Sequence, residues 1–132
     1  MNGVPPDTAN LWRFLPWGYL FTVAIELPVL LVGLAPRNSL RDRLVAGLAL
    51  TAFTYPIVIC VLPPLVWEPW GRTLYLAVAE TFAPLAECLL FRLAFGPAPD
   101  RRSAVRDAAA IVLANLLSFG LGEAWHAATR SV

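Results

Sequence analysis

Four apolar stretches, separated by short clusters of charged, proline and glycine residues, set the pattern of this chain. A hydrocarbon core about 30 Å thick is crossed by roughly 20 helical residues, so the stretches at residues 14 to 34, 44 to 63, 73 to 93 and 104 to 126 predict four transmembrane helices. The second is the cleanest: no residue from Leu44 to Trp67 is charged, and Pro63-Pro64 is expected to end it. Leu65 to Gly71 (LVWEPWG) then reads as a short connection held at the headgroup level by Trp67 and Trp70. In the fourth stretch only Ala108 to Gly122 is free of charge, so crossing requires Arg106 to snorkel at one end and Glu123 and His126 to sit near the other interface.

The segments between these stretches carry helix punctuation. Ser39 with Asp42 three residues on is a capping box with Asp in place of Glu, and predicts a helix start. Gly96 to Arg102 (GPAPDRR) is a turn, with the fourth helix beginning near Ser103. Residues 1 to 13 (MNGVPPDTANLWR) hold no early basic cluster and no small-residue cleavage site behind a short apolar core, so the first span is read as retained.

Composition sharpens the class. Of 132 residues 58% are hydrophobic and 14% charged, against about 25% charged in soluble domains, and mean hydropathy is +0.65. The expectation is an all-α polytopic membrane protein, a single four-helix bundle over residues 1 to 132 with no room for a soluble domain. A net charge of +1 argues against a nucleic-acid partner. Cys60 and Cys88 both fall in apolar spans and read as buried thiols. No cofactor is expected.

Arginine supplies every basic side chain and sets an orientation. Arg37, Arg41, Arg43, Arg92, Arg101, Arg102 and Arg106 fall at the end with loops 35–43 and 96–103, whereas Arg13, Arg72 and Arg130 fall at the other. The positive-inside rule then predicts both loops in the cytoplasm and both termini outside a cell (inner) membrane. Trp12, Trp17, Trp67, Trp70 and Trp125 all come to the outer interface, as one aromatic belt.

The polar positions inside the spans carry the candidate chemistry. Glu80 and Glu87 are seven residues apart, which returns them to within ~20° of each other on one helix stripe, with Pro84 between them expected to kink the helix. At ~1.5 Å per residue Glu26, Thr54, Glu80, Asn115 and Ser118 share one depth below the outer surface, and Glu87 lies deeper. Asn115, Ser118 and Gly122 share a helix face, and Ser118 with Gly122 forms a small-xxx-small pair suited to close helix approach. Pro28, Pro56 and Pro84 free the carbonyls of Ala24, Ala52 and Glu80, an oxygen-rich arrangement like the interrupted helices that coordinate cations in transporters.

No Arg or Lys within the spans balances Glu26, Glu80 or Glu87, so each is protonated, hydrated or neutralised by a cation. Intramembrane carboxylates mark proton or ion routes; a protonated Glu or an Asn also serves as interhelical glue at roughly 0.6 kcal/mol. The functional reading takes Glu80 as the principal site, Glu26 and Glu87 as auxiliary carboxylates, and Asn115, Ser118 and Thr54 as ligands or positioning groups. Thr51, Thr54 and Ser118 are also expected to bond backbone carbonyls.

Glu123 and His126 form an E-x-x-H pair, the spacing of bundle di-metal sites. Such sites need two pairs at one depth, and a solvated pair is the simpler reading, so these residues are minor metal candidates. With one His, no G-x-S-x-G elbow and no phosphate-binding glycine loop, the chain is not expected to be an enzyme.

The set Glu26-x-Pro28, Thr54-Tyr55-Pro56, Glu80 with Glu87, and Asn115-Leu116-Leu117-Ser118 followed by glycines resembles small bacterial four-span membrane proteins of unassigned function, which implies architecture. The chain also resembles small multidrug-resistance transporters in its length, four spans and first-span carboxylate, matched by Glu26. It departs from them in lacking their third-span glycine pattern and in its arginine bias. The expected function is a proton- or cation-linked transport or permeation component, working as a homo-oligomer or with a membrane-protein partner in the lipid bilayer. The alternative is a non-transporting accessory or assembly subunit of a larger membrane complex, with a small lipid-acting membrane enzyme as a third reading.

Overall fold

The computed structural model describes residues 8 to 130; the segment before Thr8, on which the reading of a retained first span partly rests, lies outside them. Four helices follow in order, α1 (Thr8–Gly33), α2 (Leu40–Trp70), α3 (Arg72–Phe95) and α4 (Arg101–Arg130), with no strand among the described residues. Each is long and apolar enough to cross a membrane, in keeping with a multi-pass membrane protein. They form a ring in which α1 packs on α2 and α4, and α3 on the same two helices. Both termini and the α2–α3 turn lie at one end, here the terminal end; the two longer connections lie at the other, the loop end.

The helix starts follow local chemistry. Ser39 accepts a hydrogen bond from the Asp42 N–H at 3.1 Å, the first half of the expected capping box. Asp100 does the same for α4, accepting from the Ser103 N–H at 2.7 Å, so this helix begins at Arg101, earlier than Ser103. The backbone N–H bonds hold the Asp100 carboxyl below its ordinary range. A carboxyl depressed by folding supports the fold above its ordinary value near ~3.9 and loses that support as pH falls through the lower folded value. The protection factor of the Ser103 amide against hydrogen exchange is therefore expected to fall in acid, and to be low at every pH in Asp100→Ala; an unchanged Asp100→Ala profile would refute the cap.

The second helix differs from expectation. It does not stop at Pro63-Pro64 but continues to Trp70 by widening, with i to i−5 turns over Ile57–Val61 and Pro63–Trp67. Pro63 and Pro64 supply no N–H to the turn before them, and the Leu62 N–H bonds Ile57 instead of Val58. The Tyr75 hydroxyl fills part of that loss by donating to the Val58 carbonyl at 2.9 Å. Trp67 and Trp70 thus lie in a helix, and the turn to α3 shrinks to Gly71, at φ 94° and ψ 167°, a conformation open essentially to glycine alone.

The loop half of the bundle is solid. Leu30, Leu34, Ala46, Leu50, Phe91, Ala110, Ile111 and Ala114 pack there as one core. Small residues let backbones approach where lipid offers no hydrophobic drive for helix association: a Cβ built on Gly33 would sit 3.0 Å from that of Ala110. The close approach expected at Gly122 is absent, since a Cβ there would meet nothing within 4 Å. In that half the helices stand around a cavity.

A polar clasp locks the loop end. Asp107 on α4 is buried and accepts from the Ala35 N–H at 2.7 Å, from Asn38 Nδ2 at 2.9 Å and from the Arg37 guanidinium at 3.1 and 3.2 Å. Arg43 donates to the carbonyls of Leu31, Ala35 and Asn38, and Arg106 to that of Gly33. These acceptors lie at the C-terminal end of α1 and in the connection after it, where carbonyls lack helical donors. Three of the arginines at this end are therefore engaged with the protein itself.

Candidate functional site

A cavity of about 770 Å³ fills the terminal half of the bundle, from the level of Trp67, Arg72 and Glu123 down to Glu26, Thr51, Glu87 and Asn115. Its upper wall is largely aromatic, with Phe14, Trp17, Tyr55, Tyr75 and Phe119 among the lining residues. The core of the loop half lies below it, so the cavity does not continue to the loop end.

Two glutamates make the floor, each about 2% exposed. Glu26 of α1 accepts from the Thr51 hydroxyl of α2 at 2.8 Å and from the Ser118 hydroxyl of α4 at 2.6 Å. Glu87 of α3 accepts from the Thr54 hydroxyl of α2 at 2.7 Å and from Asn115 Nδ2 of α4 at 2.8 Å. The arrangement is nearly two-fold: each carboxylate, on opposite helices of the ring, is held by one donor from each of the two helices between them. Thr51 with Thr54 and Asn115 with Ser118 are spaced three apart, which puts each pair on one helix face.

The polar layer differs from expectation in which acid belongs to it. Glu87 joins Thr54 and Asn115, whereas Glu80 stands on the half-buried wall nearer the mouth, about 10 Å of helix rise from Glu87. The direction of Cβ explains the difference. Helical side chains tilt toward the N-terminus, and in α3 that is toward the mouth, so Glu87 reaches up to the level of the α2 and α4 donors. Glu80 lies within electrostatic reach of both Glu123 above it and Glu26 below it.

Glu123 pairs with Arg72. Arg72 donates to both its carboxylate oxygens, at 2.8 and 2.6 Å, tying the first turn of α3 to the end of α4 at the cavity mouth. The same guanidinium lies 6.0 Å from the Trp67 ring centre, and Trp67 stacks on Tyr75. Among the described residues no three His, Cys, Asp or Glu side chains converge as a metal site would require. Cys60 and Cys88 are free thiols.

The freed-carbonyl idea finds little support in the geometry. Ala24 and Ala52 are exposed on the outside of the bundle and do not line the cavity; of the three positions only Glu80 does. Two buried polar residues, Thr51 at the floor and Asp107 in the clasp at the loop end, were not among the candidate site residues read from the sequence. Thr51 reads there as a backbone-bonded threonine, and its spacing to Thr54, matching that of Asn115 to Ser118, is the signal that pairs it with the site. Asp107 offers no comparable signal, since its partners lie about 70 positions away. No protein-family model, curated protein or solved structure matches the chain, and the functional reading rests on this geometry.

Proposed function

We propose that this chain is a proton- or cation-linked transport or permeation component of a cell (inner) membrane, with both termini outside and the loops 35–43 and 96–103 in the cytoplasm. One observation carries the reading: two buried glutamates, with no arginine or lysine among their hydrogen-bond partners, form the floor of a cavity that stops at the core of the loop half. Burying an acid in a membrane is costly and is tolerated where the acid meets a water-filled space or an exchangeable ion. Glu80 on the wall would pass the ion between mouth and floor. On this reading, passage to the loop end requires Leu30, Leu50, Phe91 and Ile111 to part, and a state open toward the termini is the one that would load the floor. Four helices enclose little space, and a second copy or another membrane protein would complete the path.

A second reading, an accessory subunit, is favoured by one fact: among the described residues every buried side-chain polar atom has a partner, as helix-locking side chains would. Flux separates the two. In liposomes holding the purified chain and a pH-sensitive dye, an imposed proton or alkali-cation gradient is expected to drive flux. That flux should be lost on carbodiimide treatment and lowered in Glu80→Gln. Folded protein without flux under any gradient would favour the accessory role.

A further inference from the structure

The donors around the two floor acids differ in what they can do when a proton arrives. Asn115 Nδ2 has two N–H groups, and both are used: one on Glu87 Oε2 at 2.8 Å, the other on the Ile111 carbonyl at 2.9 Å. The second bond fixes the amide orientation, because a flipped amide would set oxygen against oxygen. Thr54 has one hydroxyl proton and two acceptors, Glu87 Oε1 at 2.7 Å and its own helix carbonyl, Leu50, at 3.1 Å. Ser118 repeats this at the other acid, facing Glu26 Oε1 at 2.6 Å and the Asn115 carbonyl at 3.0 Å. The alternative acceptor for Thr51, the Gly47 carbonyl, is distant at 3.4 Å, so its hydroxyl stays on Glu26. Each acid therefore has one donor that stays and one that can turn.

We propose that the ion bound at this floor is the proton, seated on Oε1 of Glu87 and Oε1 of Glu26, with the Thr54 and Ser118 hydroxyls turning to follow it. In the ionised state both hydroxyls donate to the carboxylates. When a proton bonds to Oε1, the new carboxyl O–H donates to the hydroxyl oxygen, and the hydroxyl proton rotates onto the backbone carbonyl behind it. No polar atom loses its partner in either state, so neither state carries the penalty of an unsatisfied buried donor or acceptor. A metal cation suits the site less well, because at Glu87 it would face the fixed N–H of Asn115. The proposal rests on reading the floor as an ion site and names the ion.

Other titratable or charged groups surround the pair on the packed helices: Tyr55 and Cys60 on α2; Arg72, Tyr75, Glu80 and Cys88 on α3; and Glu123 and His126 on α4. The test must therefore assign its signal by substitution. Infrared difference spectra of the full chain in liposomes, taken between acid and alkaline buffer, are expected to show a protonated-carboxyl band with two components, one lost in Glu26→Gln and the other in Glu87→Gln. Thr54→Val should shift only the Glu87 component and Ser118→Ala only the Glu26 component, while Thr54→Ser, which keeps the hydroxyl, restores the wild-type band. Sodium, potassium and magnesium chlorides at constant pH should leave the band unchanged. A band displaced by one of these cations, or no component assignable to Glu26 or Glu87, overturns the proposal. Flux with a cation-displaced band would retain the transport reading and reject the proton; a titrating, cation-insensitive band without flux would do the reverse.

Discussion

Replacing Glu26 and Glu87 together by glutamine is expected to lower proton-driven flux by roughly 100-fold or more, the scale on which loss of a positioned proton-transfer group is felt, while the protein still folds. The reason lies in the donors. A glutamine at 87 can turn its oxygen to Asn115 Nδ2 and its amide nitrogen to the Thr54 hydroxyl, which then donates to the Leu50 carbonyl. A glutamine at 26 can do the same between Thr51 and Ser118. The double variant thus mimics the protonated state, with the surrounding Thr, Ser and Asn donors still paired and its exchangeable proton gone. Purified wild type and variant, matched for helicity and elution volume, should differ in dye-reported flux and not in thermal unfolding. Equal flux from the two would exclude both floor acids from the route.

The largest effect on stability is expected at the opposite end, from Asp107→Ala. Removing one partner of a buried, hydrogen-bonded ion pair costs about 3 to 5 kcal/mol, since the groups left behind stay buried without compensation. Here the groups left buried are the Ala35 N–H and the Asn38 amide, while the partly exposed Arg37 guanidinium loses its ion pair; together they hold the α1–α2 connection onto α4. Arg37→Ala should cost distinctly less, because Asp107 would keep its bonds to Ala35 and Asn38. Equilibrium unfolding in mixed detergent micelles measures both; an Asp107→Ala variant within about 1 kcal/mol of wild type would remove the clasp as a structural element.

The contrast between these two sites bears on what a sequence makes legible. Glu26, Glu87 and Asn115 stand out because a charged or amide group in a membrane-length apolar run is conspicuous whatever it touches, and Thr54 and Ser118 join them by lying at a shared depth. Asp107 does not, because it sits among arginines near a helix start, where an acid looks solvated. Thr51 does not, because a threonine in a span has a ready partner in its own backbone. The depth at which each acid meets its donors was equally out of reach. Glu80 and Glu87 share a stripe, and only the tilt of the side chains and the set of facing donors puts one in the floor and the other on the wall.

Pro63-Pro64 shows the limit for backbone structure. Two prolines argue for a helix end when the helix is considered alone. In the bundle, wide turns and a tyrosine hydroxyl from the next helix take up part of the broken bonding, and the chain continues to Trp70. Gly122 shows the same for packing: its small size permits close contact, and the neighbouring helix is not there to use it.

By itself the sequence determined that there are four helices, their order, and which half of the bundle receives the five tryptophans, because a bilayer's thickness and its lack of hydrogen-bonding partners leave few choices for a run of apolar residues. The tertiary structure decided which acids meet which donors, where the bundle is solid and where it is hollow. Those contacts join residues 25 to 92 positions apart, and they depend on the rotation and tilt of each helix against its neighbours, which no periodicity within one helix records.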